Sequence, residues 1–234
     1  MIKIGNFFFR YRNAVFPVVG LLLFVPSRPL FPSDNIAVIA GFVAGFVGLF
    51  LRAITIGLAY IKRGGLNKQV YADTLVQGGM FAHCRNPLYV GNFLGILGLG
   101  LVANSQLYMF IAMPFFIFAY LCIVAAEENF LRKKFGAEFE AYCQRVGRFT
   151  LNLSGFSKTW HSMEFRWQRI IVKEYGSIFM WIATSCILMF KRHWSEAHPF
   201  SNPTVQIWLG VLGVSAVAYG VTRYLKKSRR LQAD

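Results

Sequence analysis

The sequence predicts an all-α polytopic membrane protein with about six transmembrane helices. Its 234 residues are 56% hydrophobic and only 15% charged, whereas an ordinary soluble domain carries about 25% charged residues. A helix needs about 20 mostly apolar residues to cross the hydrocarbon core of a bilayer. The runs that approach this length are residues 13–31, 35–60, 88–104, 106–126, 175–190 and 204–222.

The first two runs predict an opening pair of helices. The stretch VPSRPLFPS after residue 24 lacks the small-residue pattern of a signal-peptide cleavage site, so we expect the first run to be retained. The second run contains Arg52, whose long side chain we expect to reach toward the lipid headgroups.

The third and fourth runs predict a tight helical hairpin. The turn between them is residues 103–106, and so short a connection makes the two helices antiparallel neighbours. Their inner ends therefore lie side by side. One end carries HCRNPLY, residues 83–89, and the other carries Glu127 and Glu128.

A helix with one apolar face continues from the fourth run. Its apolar positions recur three or four residues apart, at Leu131, Phe135, Phe139, Tyr142 and Val146. Such a helix lies in the membrane interface, here over the inner end of the hairpin. Gly136 interrupts it and predicts a bend or a close backbone approach.

Aromatic and basic residues alternate after this helix, at Phe156, Lys158, Trp160, Phe165, Arg166, Trp167 and Arg169. Such a mixture is typical of an anchor at headgroup depth. A short fifth run and a sixth run close the chain, and Glu174 is expected to face the dipole at the start of the fifth helix. The sequence is predicted to divide into four parts. These are an opening helix pair (1–60), a connector with the hairpin and its amphipathic helix (61–150), the aromatic and basic segment (151–173), and a closing helix pair with a basic tail (174–234).

The basic residues predict the orientation in the membrane. The formal net charge is +15, yet only Arg28, Lys191 and Arg192 fall in the predicted outer loops. This asymmetry follows the positive-inside rule and places both termini in the cytoplasm, with the basic segments against anionic lipid headgroups. No nucleic-acid recognition motif accompanies the charge, so we predict no nucleic-acid partner.

The cysteines do not predict a metal site or a disulfide framework. Cys84, Cys122, Cys143 and Cys186 are scattered, without the C-x-x-C spacing of a zinc site. We interpret them as small buried hydrophobic residues.

Two motifs together resemble a known enzyme superfamily. GGMFAHCRNPLYVGNFLGILGLGL is followed, after one hairpin, by EENFLRKKFGAEFEAYCQRVGRF. This pair closely resembles the paired motifs of the isoprenylcysteine carboxyl methyltransferase and phospholipid methyltransferase superfamily, over about residues 70–150. The resemblance implies an integral membrane methyltransferase of the bacterial inner membrane or endoplasmic reticulum type, with an interfacial helix capping a pocket for S-adenosylmethionine.

The resemblance also implies site residues. Those matching cofactor-binding positions are Gly79, Phe81, His83, Arg85, Asn86, Pro87, Tyr89, Glu127 and Glu128. Arg148 matches the terminal arginine that faces the acceptor. If the acceptor is an amine, a base must remove its proton, and His83, Glu127 and Glu128 are candidates for it by position. The chain departs from the motifs at Met80 and Asn86, where proline and histidine are usual, and at Thr150 and Leu151, where a proline is expected.

Three alternatives stay open on the sequence. The acceptor is either a prenylcysteine carboxylate or a phospholipid amine, and only the amine needs a base. An NADPH-dependent sterol-type reductase looks similar around R-x-P-x-Y. A non-catalytic membrane scaffold would use Arg85 and the two glutamates as an ordinary ion pair between helices. Methyl transfer requires no metal, and the oligomeric state is not predicted.

Overall fold

The computed structural model describes residues 1–59, 69–194 and 199–232, and within these ranges the chain is a bundle of helices. The α-helices of the described ranges are α1 (Ile2–Gly20), α2 (Asp34–Leu58), α3 (Pro87–Ala103), α4 (Met113–Phe135), α5 (Ala137–Arg145), α6 (Phe156–Ser162), α7 (Trp167–His193) and α8 (Pro203–Lys227). One turn of π-helix, Tyr108–Ala112, precedes α4. The predicted all-α polytopic membrane architecture is confirmed.

Five helical segments are long and apolar enough to span a membrane within the described residues. They contain α1, α2, α4, α7 and α8, and α3 is a shorter apolar helix of 17 residues. Part of the connector predicted at 61–87 lies outside the described residues. The same holds for Lys62, Arg63 and Lys68, which the predicted orientation places on the inner side.

Two predicted spans are wrong in their boundaries. The first was placed at 13–31, but α1 begins at Ile2 and carries Arg12 within it. The fifth was placed at 175–190, but α7 runs over 27 residues and includes Glu174. Both errors have one cause, because a charge that finds a partner inside the bundle does not end a helix.

Glycines let α2 and α3 pack backbone to backbone. A Cβ atom on Gly41 would lie 2.7 Å from the Gly98 carbonyl oxygen, and one on Gly48 would lie 2.6 Å from that of Gly91. Trp181 of α7 fills the notch at Gly45 and donates its indole N–H to the Gly95 carbonyl at 3.1 Å. Small residues commonly bring membrane helices this close, and here they join α2, α3 and α7.

The predicted hairpin turn is confirmed. Asn104 follows α3 with φ 50° and ψ 38°, the left-handed conformation that asparagine tolerates better than most residues. The chain then reverses into α4, which packs mainly on α1, while α3 packs mainly on α2. The start of α3 and the end of α4 therefore meet at one end of the bundle, which we call the site end.

Gly136 separates α4 from α5. Its φ of 50° and ψ of −122° are accessible to glycine but not to residues with a side chain. The expected bend is confirmed, whereas a close backbone approach is not, because a Cβ there would meet nothing within 4 Å. Beyond the bend, the predicted apolar face of α5 packs as a cluster of Phe139, Tyr142 and Val146, together with Leu75, Leu131, Phe135 and Cys143.

Candidate functional site

A strap of chain covers the entrance to α3 at the site end. The strap is residues 146–152, which follow α5. The backbone N–H of Arg85 donates to the Gly147 carbonyl at 2.9 Å, and the N–H of Asn152 donates to the His83 carbonyl at 3.0 Å. The Asn86 amide donates to the Arg148 carbonyl at 3.1 Å. The two sequence motifs are therefore held together by hydrogen bonds to the main chain.

The turn before α3 is fixed by its own backbone. Gly79 has φ +61°, and a Cβ there would also crowd Leu58 and Ala59 at 3.1 Å. Pro87 is the first residue of α3, where its missing N–H costs nothing. The Phe81 carbonyl accepts a 2.7 Å hydrogen bond from the Tyr142 hydroxyl of α5, and burial raises the pKa of that phenol.

Glu128 joins two arginines that are distant in sequence. Its carboxylate lies 3.3 Å from Nη2 of Arg85 and accepts from Nε and Nη2 of Arg148 at 3.1 and 2.5 Å. Glu128 is 5% exposed, while the side chain of Arg148 is 46% exposed. The triad therefore runs from the bundle interior to the surface, and both carboxylate oxygens are occupied by guanidinium groups.

Glu127 has different partners from its neighbour. One of its oxygens accepts a 2.8 Å hydrogen bond from the Tyr89 hydroxyl. Arg12 of α1 interacts electrostatically with the same carboxylate, and its guanidinium stacks over the Phe9 ring at 4.6 Å. The sequence reasoning missed Arg12, although a charge inside an otherwise apolar helix is a signal of function in a membrane.

His83 is engaged at both ring nitrogens. Nδ1 lies 2.7 Å from the Asn152 carbonyl oxygen, and Nε2 lies 2.9 Å from the Thr159 hydroxyl of α6. The ring also contacts that of Phe156 edge to face, with centroids 5.5 Å apart. In this geometry neither nitrogen is left to take a proton from an acceptor, and the histidine ties α6 to the strap.

Arg85 keeps one unused donor. Its Nη1 donates to the Cys143 carbonyl at 3.2 Å, but its Nε is buried and has no hydrogen-bond partner among the described residues. An unsatisfied buried donor costs about 1–3 kcal/mol, so this nitrogen is suited to an incoming acceptor of hydrogen bonds. The neighbouring Cys84 is buried, and burial raises the pKa of its thiol, which agrees with its interpretation as a small hydrophobic residue.

Arg52 and Glu174 form a buried ion pair, so the role that the sequence predicts for each of them is wrong. Nη2 of Arg52 lies 2.6 Å from Oε2 of Glu174, and their side chains are 8% and 1% exposed. Arg52 therefore does not reach to the headgroups, and Glu174 does not serve the start of its helix. The pairing was not visible in sequence because 122 positions separate the two residues.

No group of three or more histidine, cysteine, aspartate or glutamate side chains in the described ranges is arranged to hold a metal ion.

The comparisons with known proteins match the central part of the chain. Residues 36–138 match the model of the phospholipid methyltransferase family, which confirms the superfamily resemblance seen in the two motifs. No solved structure matches the chain significantly.

Two curated relatives are similar over shorter stretches. The chain is 38% identical over 90 residues to the cobalt-zinc-cadmium resistance protein CzcN of Cupriavidus metallidurans, which covers 38% of this chain and 41% of that protein. It is 38% identical over 82 residues to the nickel-cobalt-cadmium resistance protein NccN of Alcaligenes xylosoxydans xylosoxydans, covering 35% of this chain and 38% of that protein. The chain thus spans about two fifths of the length of each relative.

Proposed function

We propose that this protein is an integral membrane methyltransferase that uses S-adenosylmethionine and a lipid-borne acceptor. The match of residues 36–138 to the phospholipid methyltransferase family model supports this proposal. The observation that carries the proposal is the convergence of Arg85, Glu127, Glu128 and Arg148 at one end of an apolar bundle. Charges are expensive at membrane depth, so a cluster of them there favours a functional explanation.

The side chains present fit the charges of the cofactor. S-adenosylmethionine, when bound, supplies a methyl group on a sulfonium, and its amino-acid part carries a carboxylate and an ammonium. The unused Nε of Arg85 is a charge-assisted donor for a carboxylate. The carboxylate of Glu127 is the matching partner for an ammonium, held in place by the Tyr89 hydroxyl. Gly79, Phe81, Asn86 and Pro87 shape the backbone beside them.

The remaining predicted site residues differ in how fully their polar atoms are already engaged by neighbouring groups. Arg148 is half-exposed and faces outward from Glu128, which supports its predicted place next to the acceptor. Both oxygens of Glu128 are held by arginines and His83 is engaged at both nitrogens, so neither is free to serve as the base that an amine acceptor needs. In-line methyl transfer depends mainly on alignment and on exclusion of water.

The proposal keeps the predicted orientation. The site end and both termini would face the cytoplasm, where a water-soluble cofactor is available, and the acceptor's apolar tail would stay between helices. The prenylcysteine carboxylate and the phospholipid amine both remain candidate acceptors. The two relatives named for metal resistance do not choose between these acceptors.

The test is cofactor binding by the purified protein, measured by isothermal titration calorimetry in detergent. We expect S-adenosylmethionine to bind, and we expect Arg85→Gln to weaken binding at least tenfold. Arg145→Gln is the matched control, because Arg145 is exposed on α5 and bonds Gln77. Binding of NADPH instead would favour a reductase. Binding of neither, with Arg85→Gln lowering only the melting temperature, would favour a scaffold.

A further inference from the structure

The Arg52–Glu174 pair lies well inside the bundle. Arg52 is six residues from the end of α2 and Glu174 is seven residues after the start of α7. At 1.5 Å per residue, both lie about 9 to 11 Å from their helix ends. Arg52 Nε and Nη2 donate to one glutamate oxygen at 2.9 and 2.6 Å.

Stability alone is a weak reason for such a pair. Replacing a buried ion pair with apolar residues of similar volume is often neutral or stabilising. Yet the packing of α2 on α3 makes room for this one, because a Cβ on Gly91 would lie 2.5 Å from Cγ of Arg52. The pair therefore calls for a role beyond joining α2 to α7.

A row of polar side chains leads from Arg52 to Glu127. Arg52 Nη1 donates to Oδ1 of Asn92 on α3, and the Asn92 side chain lies within interaction range of the Tyr120 hydroxyl on α4. The Tyr120 ring contacts the Tyr89 ring, with centroids 5.3 Å apart. The Tyr89 hydroxyl donates to Glu127. Consecutive residues of the row lie on different helices, first α2 and then α3 and α4 in alternation.

Arg52 sets the direction of this row. A guanidinium only donates hydrogen bonds, so it fixes the carbonyl oxygen of Asn92 toward α2. The amide N–H₂ of Asn92 is then turned toward Tyr120. Glu174 holds the same guanidinium through its Nε and Nη2. Tyr120 interacts electrostatically with both Arg52 and Arg12 of α1.

We propose that Arg52 and Glu174 are positioning residues, which orient Asn92, Tyr120 and Tyr89 so that Glu127 is held correctly for the methyl donor. The inference rests on the proposed function. It also assigns a role to α7, which lies outside the family match at residues 36–138. The C-terminal part of the chain then contributes directly to the geometry of the site.

The first test removes both charges together with Arg52→Met/Glu174→Met, so that no unpaired charge is left buried. We expect the protein to stay folded and the dissociation constant for S-adenosylmethionine to rise about tenfold. Asn92→Leu breaks the row while leaving the ion pair, and it should give the same loss. Thr184→Ala is the control on α7, because its hydroxyl bonds the Met180 carbonyl of its own helix. Unchanged affinity in Asn92→Leu overturns the proposal.

A second measurement separates this inference from the proposed function. If the wild-type protein does not bind S-adenosylmethionine, the function fails, and a double-mutant cycle on unfolding still tests the row. The cycle combines Asn92→Leu with Glu127→Gln, two residues that are connected through Tyr120 and Tyr89. We expect non-additive effects of the two substitutions on the unfolding midpoint. Strictly additive effects would show that the row does not couple Asn92 to Glu127.

Discussion

The two ends of the α3–α4 hairpin use polar residues in opposite ways. At the turn end, Asn104 accepts from the backbone N–H groups of Leu30 and Phe31 at 3.0 and 2.8 Å. Lys191 and Arg192 of α7 donate to the carbonyls of Phe24, Asp34 and Val102. At the site end, the charged side chains of Arg85, Glu128 and Arg148 pair mainly with one another.

The difference separates a structural cluster from a candidate site. Side chains at the turn end satisfy loop peptides that would otherwise be left without partners, and this is the usual task of polar groups in a fold. The site end concentrates charge and leaves the Nε of Arg85 unsatisfied. Substitutions should therefore affect stability at the turn end and ligand binding at the site end.

The largest effect is expected from Glu128→Gln. This change removes the counter-charge of Arg85, whose side chain is 12% exposed, and of the more exposed Arg148. Breaking a buried pair from one side costs about 3–5 kcal/mol, and solvent near Arg148 reduces that figure. We expect the dissociation constant for S-adenosylmethionine to rise about 100-fold by calorimetry. Glu138→Gln, an exposed residue that bonds Gln77, should bind normally. Equal affinities in the two variants would contradict the assignment of ligand binding to the charged residues of the site end.

A smaller effect, on stability rather than binding, is expected from Asn104→Ala. The side chain also donates to the Phe31 carbonyl at 3.1 Å and to Asp34 at 2.6 Å. Losing these bonds in a residue 4% exposed should lower the free energy of unfolding by about 2–4 kcal/mol. Asn104→Gly keeps the left-handed turn and isolates the side-chain part. Cofactor affinity should change less than twofold in both variants. A tenfold change would show that the turn end also affects cofactor binding, against the proposed separation.

The general architecture followed from the sequence because its signals are local. Apolar runs and the four-residue turn predicted α2, α3 and the hairpin closely, and periodicity predicted the face of α5. The convergence of Arg85 and Glu128 followed from that hairpin, since antiparallel helices bring their ends together. The roles of the site residues stay predictions.

The parts that sequence did not predict depend on long-range pairing. The predicted first span begins at residue 13 and leaves out Arg12, which lies on α1 and interacts electrostatically with Glu127. Arg52 and Glu174 were each explained by their own helix, although each is the partner of the other. Hydrophobicity alone cannot distinguish a charge that ends a helix from one that is neutralised by a distant partner.

The smallest effect is expected from Tyr89→Phe, which removes a single hydroxyl. The ring contact with Tyr120 at 5.3 Å should persist, so the variant tests the 2.8 Å hydrogen bond to Glu127 by itself. A bond to a charged group contributes about 1.5–3 kcal/mol. The lower figure corresponds to about a tenfold weaker affinity for S-adenosylmethionine. Tyr11→Phe is the matched control, because Tyr11 is exposed on α1. If Tyr89→Phe binds S-adenosylmethionine as tightly as the control does, the hydrogen bond from Tyr89 to Glu127 does not contribute to cofactor binding. The proposed row of polar side chains then has no effect on the cofactor.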